Sequence, residues 1–255
     1  MMTVVFRCLL LLPLTVFWLP MNNVTAGEIR VLSAGAVEPG ILKIIDTFRR
    51  ETGHDVKITF ATAPAISKRA GASETVDIVI GPPAVLDEWV KAGKAAQADR
   101  VTIGRIGVGV MVRAGAPLPK IATVDEFKQS LLSAESLVYN QASTGIYLEG
   151  LFERLGIASQ LKSKTTRYPD AAAVLSHVSK GHGNEIGLGA TTVIIEGESI
   201  GLKFVGPLPE DIQNYTAYAA ILAAKGAVSD AAREFIGYLA APLAKQIFGA
   251  AGIMD

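Results

Sequence analysis

From Glu28 onward the chain alternates short apolar runs with runs of helical period, the pattern of a mostly parallel sheet covered by helices. Ile29 to Ser33 reads as a strand, and Ile41, Ile44, Ile45 and Phe48 then follow at helical spacing up to Gly53, which ends that helix. Val56, Ile58 and Phe60 alternate as a half-buried strand. A short helix follows Pro64, and Val76 to Ile80 is a continuous apolar strand of the fully buried kind. Leu86, Trp89 and Val90 predict a helix closed at Gly93, and Ile106 to Val112 the next strand. After Pro117 and Pro119 a second series opens with a capping-box pattern, Thr123 to Glu126. It continues with a strand at Leu137 to Tyr139, a helix from Ile146 to Leu155 stopped by Gly156, a helix opened by Pro169 and ended by Gly181, and a strand at Ile186 to Leu188. Gly206-Pro207-Leu208-Pro209 reads as a turn and Thr216 to Ala224 as a long strand. Helices at Asp230 to Leu239 and Leu243 to Phe248 finish the chain.

Composition narrows the class. Half of the 255 residues are hydrophobic, which would suit a membrane protein only if some stretch ran for about 20 apolar residues, and none does after residue 20. The formal charge is zero, 24 basic groups against 24 acidic, with no Lys/Arg-rich run to track phosphates, so nucleic acid is not an expected partner. Residues 1–26 read as a signal peptide: Arg7 precedes the apolar run Cys8 to Pro20, and Val24-Thr25-Ala26 offers small residues for cleavage. The expected mature chain therefore starts at Gly27 with 23 basic and 24 acidic groups and no cysteine, Cys8 being the only one. A core of this size needs no disulfide.

Catalytic signatures are missing. His177 and His182 are five apart, the wrong spacing for two ligands on one helical face, and together with His54 they are the only imidazoles. They read as solvated groups at a helix end. No nucleophile elbow, zinc-protease helix, Walker loop or EF-hand loop occurs, and Gly181-His182-Gly183 is not a dinucleotide fingerprint.

What recurs is a junction of small and hydroxyl residues between a strand and a helix. Ser33-Ala34-Gly35-Ala36, Ala61-Thr62-Ala63-Pro64, Ser143-Thr144-Gly145 and Gly189-Ala190-Thr191-Thr192 each take that place. Such residues make good caps and turns. They also let an anion approach the free N–H groups of a helix start. Strand ends gather along one edge of a parallel sheet, so four junctions of this kind face a common crevice.

At these loops the sequence resembles the molybdate-binding proteins of bacterial ABC transporters and, more broadly, the type II periplasmic solute-binding proteins. The resemblance runs from Ile29 to Ala36 through Val76 to Ile80 and Ser143 to Tyr147 to Leu239-Ala240-Ala241-Pro242. It implies an α/β fold of two lobes, each a mostly parallel sheet flanked by helices, joined by crossover strands at Ile106 to Val112 and Thr216 to Ala224. Lobe I is expected over 27–104 plus 216–255 and lobe II over 105–215. The ligand residues it implies are Ser33, Gly35, Ala36, Thr62, Ser143, Thr144, Gly145, Ala190 and Thr191. The chain departs from the molybdate binders at Ala36, where they carry a hydroxyl, and at Ala190, where they usually present a tyrosine. Arg105, at the start of the first crossover, adds a guanidinium fork suited to a carboxylate. Lys68 and Arg69 read as a solvated face.

The expected function is capture of a small anionic solute, a molybdate-like oxyanion or a small organic carboxylate, in the cleft between the lobes. Delivery would be to an ABC permease in the inner membrane, from a periplasmic monomer without cofactor, metal or catalysis. An exported enzyme or a receptor ectodomain on the same fold is the alternative.

Overall fold

The computed structural model describes residues 27–72, 75–223 and 229–255. The signal-peptide features, including Arg7, Cys8 to Pro20 and Val24-Thr25-Ala26, lie outside the described residues, as does Ala224.

The first half runs β1 (Glu28–Ala34), a 3-10 turn (Gly35–Val37), α1 (Glu38–Thr52), β2 (Asp55–Ala61), α2 (Ala63–Ala70), β3 (Ile78–Gly81), α3 (Pro83–Lys91) and the long β4 (Val101–Arg113). Then come α4 (Val124–Ser133), β5 (Ser136–Asn140), α5 (Ser143–Arg154), α6 (Ala158–Leu161), β6 (Thr165–Tyr168), α7 (Ala171–Lys180), β7 (Glu185–Ala190), α8 (Thr191–Gly197) and β8 (Leu202–Pro207). The chain closes with β9 (Tyr215–Leu222), α9 (Asp230–Ala240) and α10 (Pro242–Ala250).

Local chemistry sets these bounds. Gly53 ends α1 in the left-handed region at φ 76°, donating to the Arg49 carbonyl at 2.9 Å. Thr123 caps α4 by accepting from Glu126 N–H, while the Glu126 carboxylate reaches back to Ala122 N–H rather than to its own cap. Helix α5 starts at Ser143, not Ile146, so Ser143-Thr144-Gly145 is its first turn. Asp170, not Pro169, caps α7, accepting from Ala173 N–H at 2.9 Å.

The strands lie in the order β2-β1-β3-β9-β4-β7-β5-β6, with β8 added on β4. Two parallel triplets, β2-β1-β3 and β6-β5-β7, form the centres of the two lobes, and β4, β8 and β9 join them antiparallel. Val76 and Asp77 precede β3 rather than belonging to it, and the Asp77 carboxylate accepts Arg30 N–H at 2.7 Å. The segment read as a turn at Gly206-Pro207 is the end of strand β8, which lies on β4 as an edge, where a proline is tolerated.

Strand β4 belongs to both sheets. Its Val101 to Gly107 stretch pairs with β9, whereas Val108 to Arg113 pairs with β7 and β8. At the changeover, Gln213 bonds both backbone groups of Val108, accepting from its N–H at 2.9 Å and donating to its carbonyl at 3.0 Å. Glycines in β4 leave room for rings: a Cβ on Gly109 would come within 2.8 Å of Phe204, and one on Gly107 within 3.2 Å of Tyr215. The C-terminal Met254 adds a two-bond bridge to Arg105, at 2.7 and 3.0 Å.

Two cores flank the crossing. One gathers Ile29 to Ile106 and Tyr218 to Ile253 around Phe48, Trp89 and Phe235, with the Phe48 and Phe235 rings 4.9 Å apart. In the other sheet the period of two is plain. Val110, Val112, Leu137 and Tyr139 pack under α4, α5 and α6, while Met111 and Val138 face Val174 and Val178 of α7. His54, almost fully buried, accepts Gly27 N–H at 2.9 Å and meets Glu234 at 3.3 Å, pinning the first described residue to α9.

Candidate functional site

A cavity of about 420 Å³ opens between the C-terminal ends of the two parallel triplets. The junctions after β1, β2, β5 and β7 all reach it, together with the start of α7. Of the residues singled out in the sequence, Gly35, Ala36, Thr62, Ser143, Thr144 and Ala190 line it. The helix starts at the 3-10 turn, α2, α5 and α8 carry no side-chain cap, so their first N–H groups remain for an incoming acceptor.

Four sequence-predicted residues lie elsewhere. Ser33 is fully buried and donates to the Ala34 carbonyl at 3.2 Å. Gly145 follows Thr144 in the same turn but is not a lining residue; a Cβ there would overlap the Asn140 carbonyl oxygen, so this glycine answers to packing. Thr191 turns its methyl towards Gly109 of β4, and its neighbour Thr192 is spent within the fold, donating to the Ala36 carbonyl at 2.7 Å. Arg105 is exposed, and its guanidinium lies 5.2 Å over the Tyr215 ring, off the cavity. The register shift between Thr102 and Gly104 and the bridge to Met254 set that placement. His177 is likewise not a free group at a helix end: its Nδ1 meets the Tyr168 hydroxyl at 2.8 Å and its Nε2 meets Glu185 at 3.2 Å.

The cavity also holds residues that the sequence did not flag. Tyr218 of β9 is 4% exposed and its hydroxyl has no hydrogen-bond partner among the described residues. Burial pushes that hydroxyl well above the ordinary tyrosine range, so it stays a neutral donor. Asn140, 8% exposed, accepts Ala142 N–H at 3.0 Å through Oδ1, which leaves its Nδ2 donors without a partner among the described residues. The hydroxyls of Thr62, Ser143 and Thr144 are likewise unpaired among them. These donors face the open cavity rather than a protein partner, so an entering acceptor can take several of them at once.

Its two charged lining groups are both acidic, Glu38 and Asp170, and neither Lys nor Arg is among the lining residues. Asp170 is committed to capping α7. Glu38, in the first turn of α1, makes no hydrogen bond or ion pair among the described residues. Burial raises its carboxyl above the ordinary range. The folded state thus resists ionisation of Glu38, and its stability falls as pH rises through the Glu38 titration. Glu38→Gln is expected to match the wild type near pH 4 and to exceed it near pH 7 in chemical denaturation. An equal difference at both pH values would contradict this.

Among the described residues no group of three or more His, Cys, Asp and Glu could hold a metal, and no helix is long and apolar enough to cross a membrane.

The sequence profile of the bacterial extracellular solute-binding proteins matches residues 29–253. An aconitate isomerase of a Pseudomonas species is 32% identical over 218 residues, covering 82% of this chain and 81% of its own. The molybdate-binding protein ModA of Escherichia coli K12 is 27% identical over 229 residues, 87% of each chain. Among solved structures, the periplasmic molybdate-binding protein of Azotobacter vinelandii superposes with a TM-score of 0.76 at 17% identity, over 89% of this chain and 99% of its own.

Proposed function

We propose, from the premise that the chain belongs to the bacterial extracellular solute-binding proteins, that it captures a small organic polycarboxylate between its lobes and delivers it to an ABC permease. One observation carries the reading. Uncharged donors without partners among the described residues, Thr62, Asn140, Ser143, Thr144 and Tyr218, converge on one cavity with uncapped helix starts. An anion satisfies all of them together.

Size favours a carboxylate over a tetrahedral oxyanion. The cavity of about 420 Å³ falls within the range of about 300–1,000 Å³ used for organic ligands. A five-atom oxyanion fills only a few water volumes of about 30 Å³ each. The isomerase relative, named for an unsaturated tricarboxylate, points the same way.

Capture takes the form of hinge closure about β4 and β9, with 27–104 plus 216–255 moving against 105–215. The protein acts as a monomer in the periplasm, reached through the N-terminal signal.

A thermal-shift panel tests the ligand class. Aconitate, citrate and related carboxylates are expected to raise the midpoint by about 5–10 °C at a hundred times their Kd. Molybdate, tungstate and sulfate are expected to leave it unchanged. Arg105→Ala should keep the carboxylate shift intact, because that guanidinium lies on Tyr215 and not on the cavity. A shift with the oxyanions alone would overturn the carboxylate reading.

A further inference from the structure

We propose that Glu38 carries a proton between two carbons of an unsaturated polycarboxylate held in this cleft, so that the site catalyses a cofactor-free 1,3-proton shift. This rests on the carboxylate reading of the cleft.

The first argument is that Glu38 works against binding. A carboxylate lining a cleft built for anions repels the ligand, and a glutamine there would serve capture better. Asp170, the other acidic lining group, has a structural task in holding Ala173 N–H. Glu38 has none among the described residues. A half-buried, unpartnered carboxyl facing a ligand cavity has the properties of a general base whose strength lies closer to neutrality than that of an exposed glutamate.

The second argument lies in what surrounds it. Removing a proton from a CH₂ beside a C=C bond leaves an electron pair delocalised over three carbons and onto an attached carboxylate. That added negative charge needs fixed donors. Tyr218, Asn140 and Thr144, each more than nine-tenths buried and without a partner for the donor it presents, line the same cavity. Glu38 takes the proton from the allylic carbon, the double bond moves one position, and Glu38-H returns the proton to the far carbon. The carboxyl ends as it began, and nothing is oxidised or reduced. Rotation about the former double bond while the pair is delocalised exchanges cis and trans geometry.

Proton NMR in D₂O with the unsaturated tricarboxylate of the panel tests the assignment, alongside calorimetry on the same samples. Wild type is expected to interconvert the geometric isomers, faster as pH rises through the Glu38 titration, and to place deuterium on the ligand in those turnovers where Glu38-H exchanges with solvent before returning its proton. Glu38→Gln is expected to bind at least as tightly and to isomerise about 10²–10⁴-fold more slowly. Tight binding by wild type with neither isomerisation nor exchange, or isomerisation by Glu38→Gln at the wild-type rate, would overturn the role of Glu38 and leave the carboxylate reading standing. If wild type does not bind the tricarboxylate at all, both fall together.

Discussion

Gly145→Ala is expected to melt several degrees below the wild type and to bind its solute at least tenfold more weakly. Gly145 is the third residue of α5, and the added methyl would overlap the backbone carbonyl of Asn140 at the end of β5. No side chain can swing aside to relieve a clash with backbone, so the helix start itself must move. Overpacking of this kind costs about 1–3 kcal/mol. For a domain of this length that is about 2–12 °C. The displaced turn carries Ser143 and Thr144, and it rests on the Asn140–Ala142 bond, so three polar residues of the cleft leave their positions together. Hydrogen bonds to a charged ligand contribute about 1.5–3 kcal/mol each, which makes a tenfold loss the minimum. Ser143→Ala, which removes one hydroxyl and moves nothing, is the control. Scanning calorimetry and titration on the two variants separate the effects, and a Gly145→Ala protein with wild-type midpoint and affinity would remove the close approach from the account.

The second large effect belongs to Gly104, at the irregularity in β4 where the first sheet meets the C-terminus. Its φ of 146° lies in a region that side chains other than hydrogen rarely enter, and a Cβ there would stand 2.5 Å from the Met254 carbonyl oxygen and 2.7 Å from Ile253. The backbone cost is about 1–3 kcal/mol. Displacing Ile253 and Met254 adds a packing cost of similar size, about 1–3 kcal/mol. Against a total stability of about 5–15 kcal/mol, Gly104→Ala is expected to lower the denaturant midpoint sharply. It should also release the Arg105–Met254 bridge, so that amides at 105 and 254 exchange with solvent faster than those of Ile78 to Ile80 in the sheet centre. Unchanged exchange at 105 and 254 would show that the C-terminal bridge does not depend on this glycine.

The fold was legible where the signal is local. Gly53, Gly93 and Gly156 take positive φ after the helices they were expected to stop, and β1, β2, β5 and β7 stand where apolar runs placed them. Strands β6 and β8 escaped because an edge strand is short, pairs on one side and tolerates breakers such as Pro207. The cleft was legible as junctions. Gly35, Ala36, Thr62, Ser143, Thr144 and Ala190 follow strands and start helices, and the topology alone brings those points together. Tyr218, Asn140 and Glu38 carry no such mark. A tyrosine inside Thr216 to Ala223 looks like core, an asparagine at a strand end looks like a turn, and a glutamate before a proline looks like the start of a helix. What sets them apart is that their polar atoms lack partners, a property of three-dimensional neighbours that spacing does not encode. Arg105 shows the converse, because a charge at a strand start gives no hint that a bulge and a C-terminal bridge turn it away from the cleft.

A cleft whose donors are uncharged holds its anion through dipoles at contact distance, and mobile ions screen such short contacts far less than they screen exposed charges separated by about 8–10 Å. On the carboxylate reading, capture in a brackish medium is then expected to be at least as tight as in a dilute one, because salt also screens the repulsion from Glu38 and Asp170. The same feature denies the protein a long-range field to draw its solute in. On the same reading, encounter is expected to run no faster than the unsteered rate, and affinity must come from slow release.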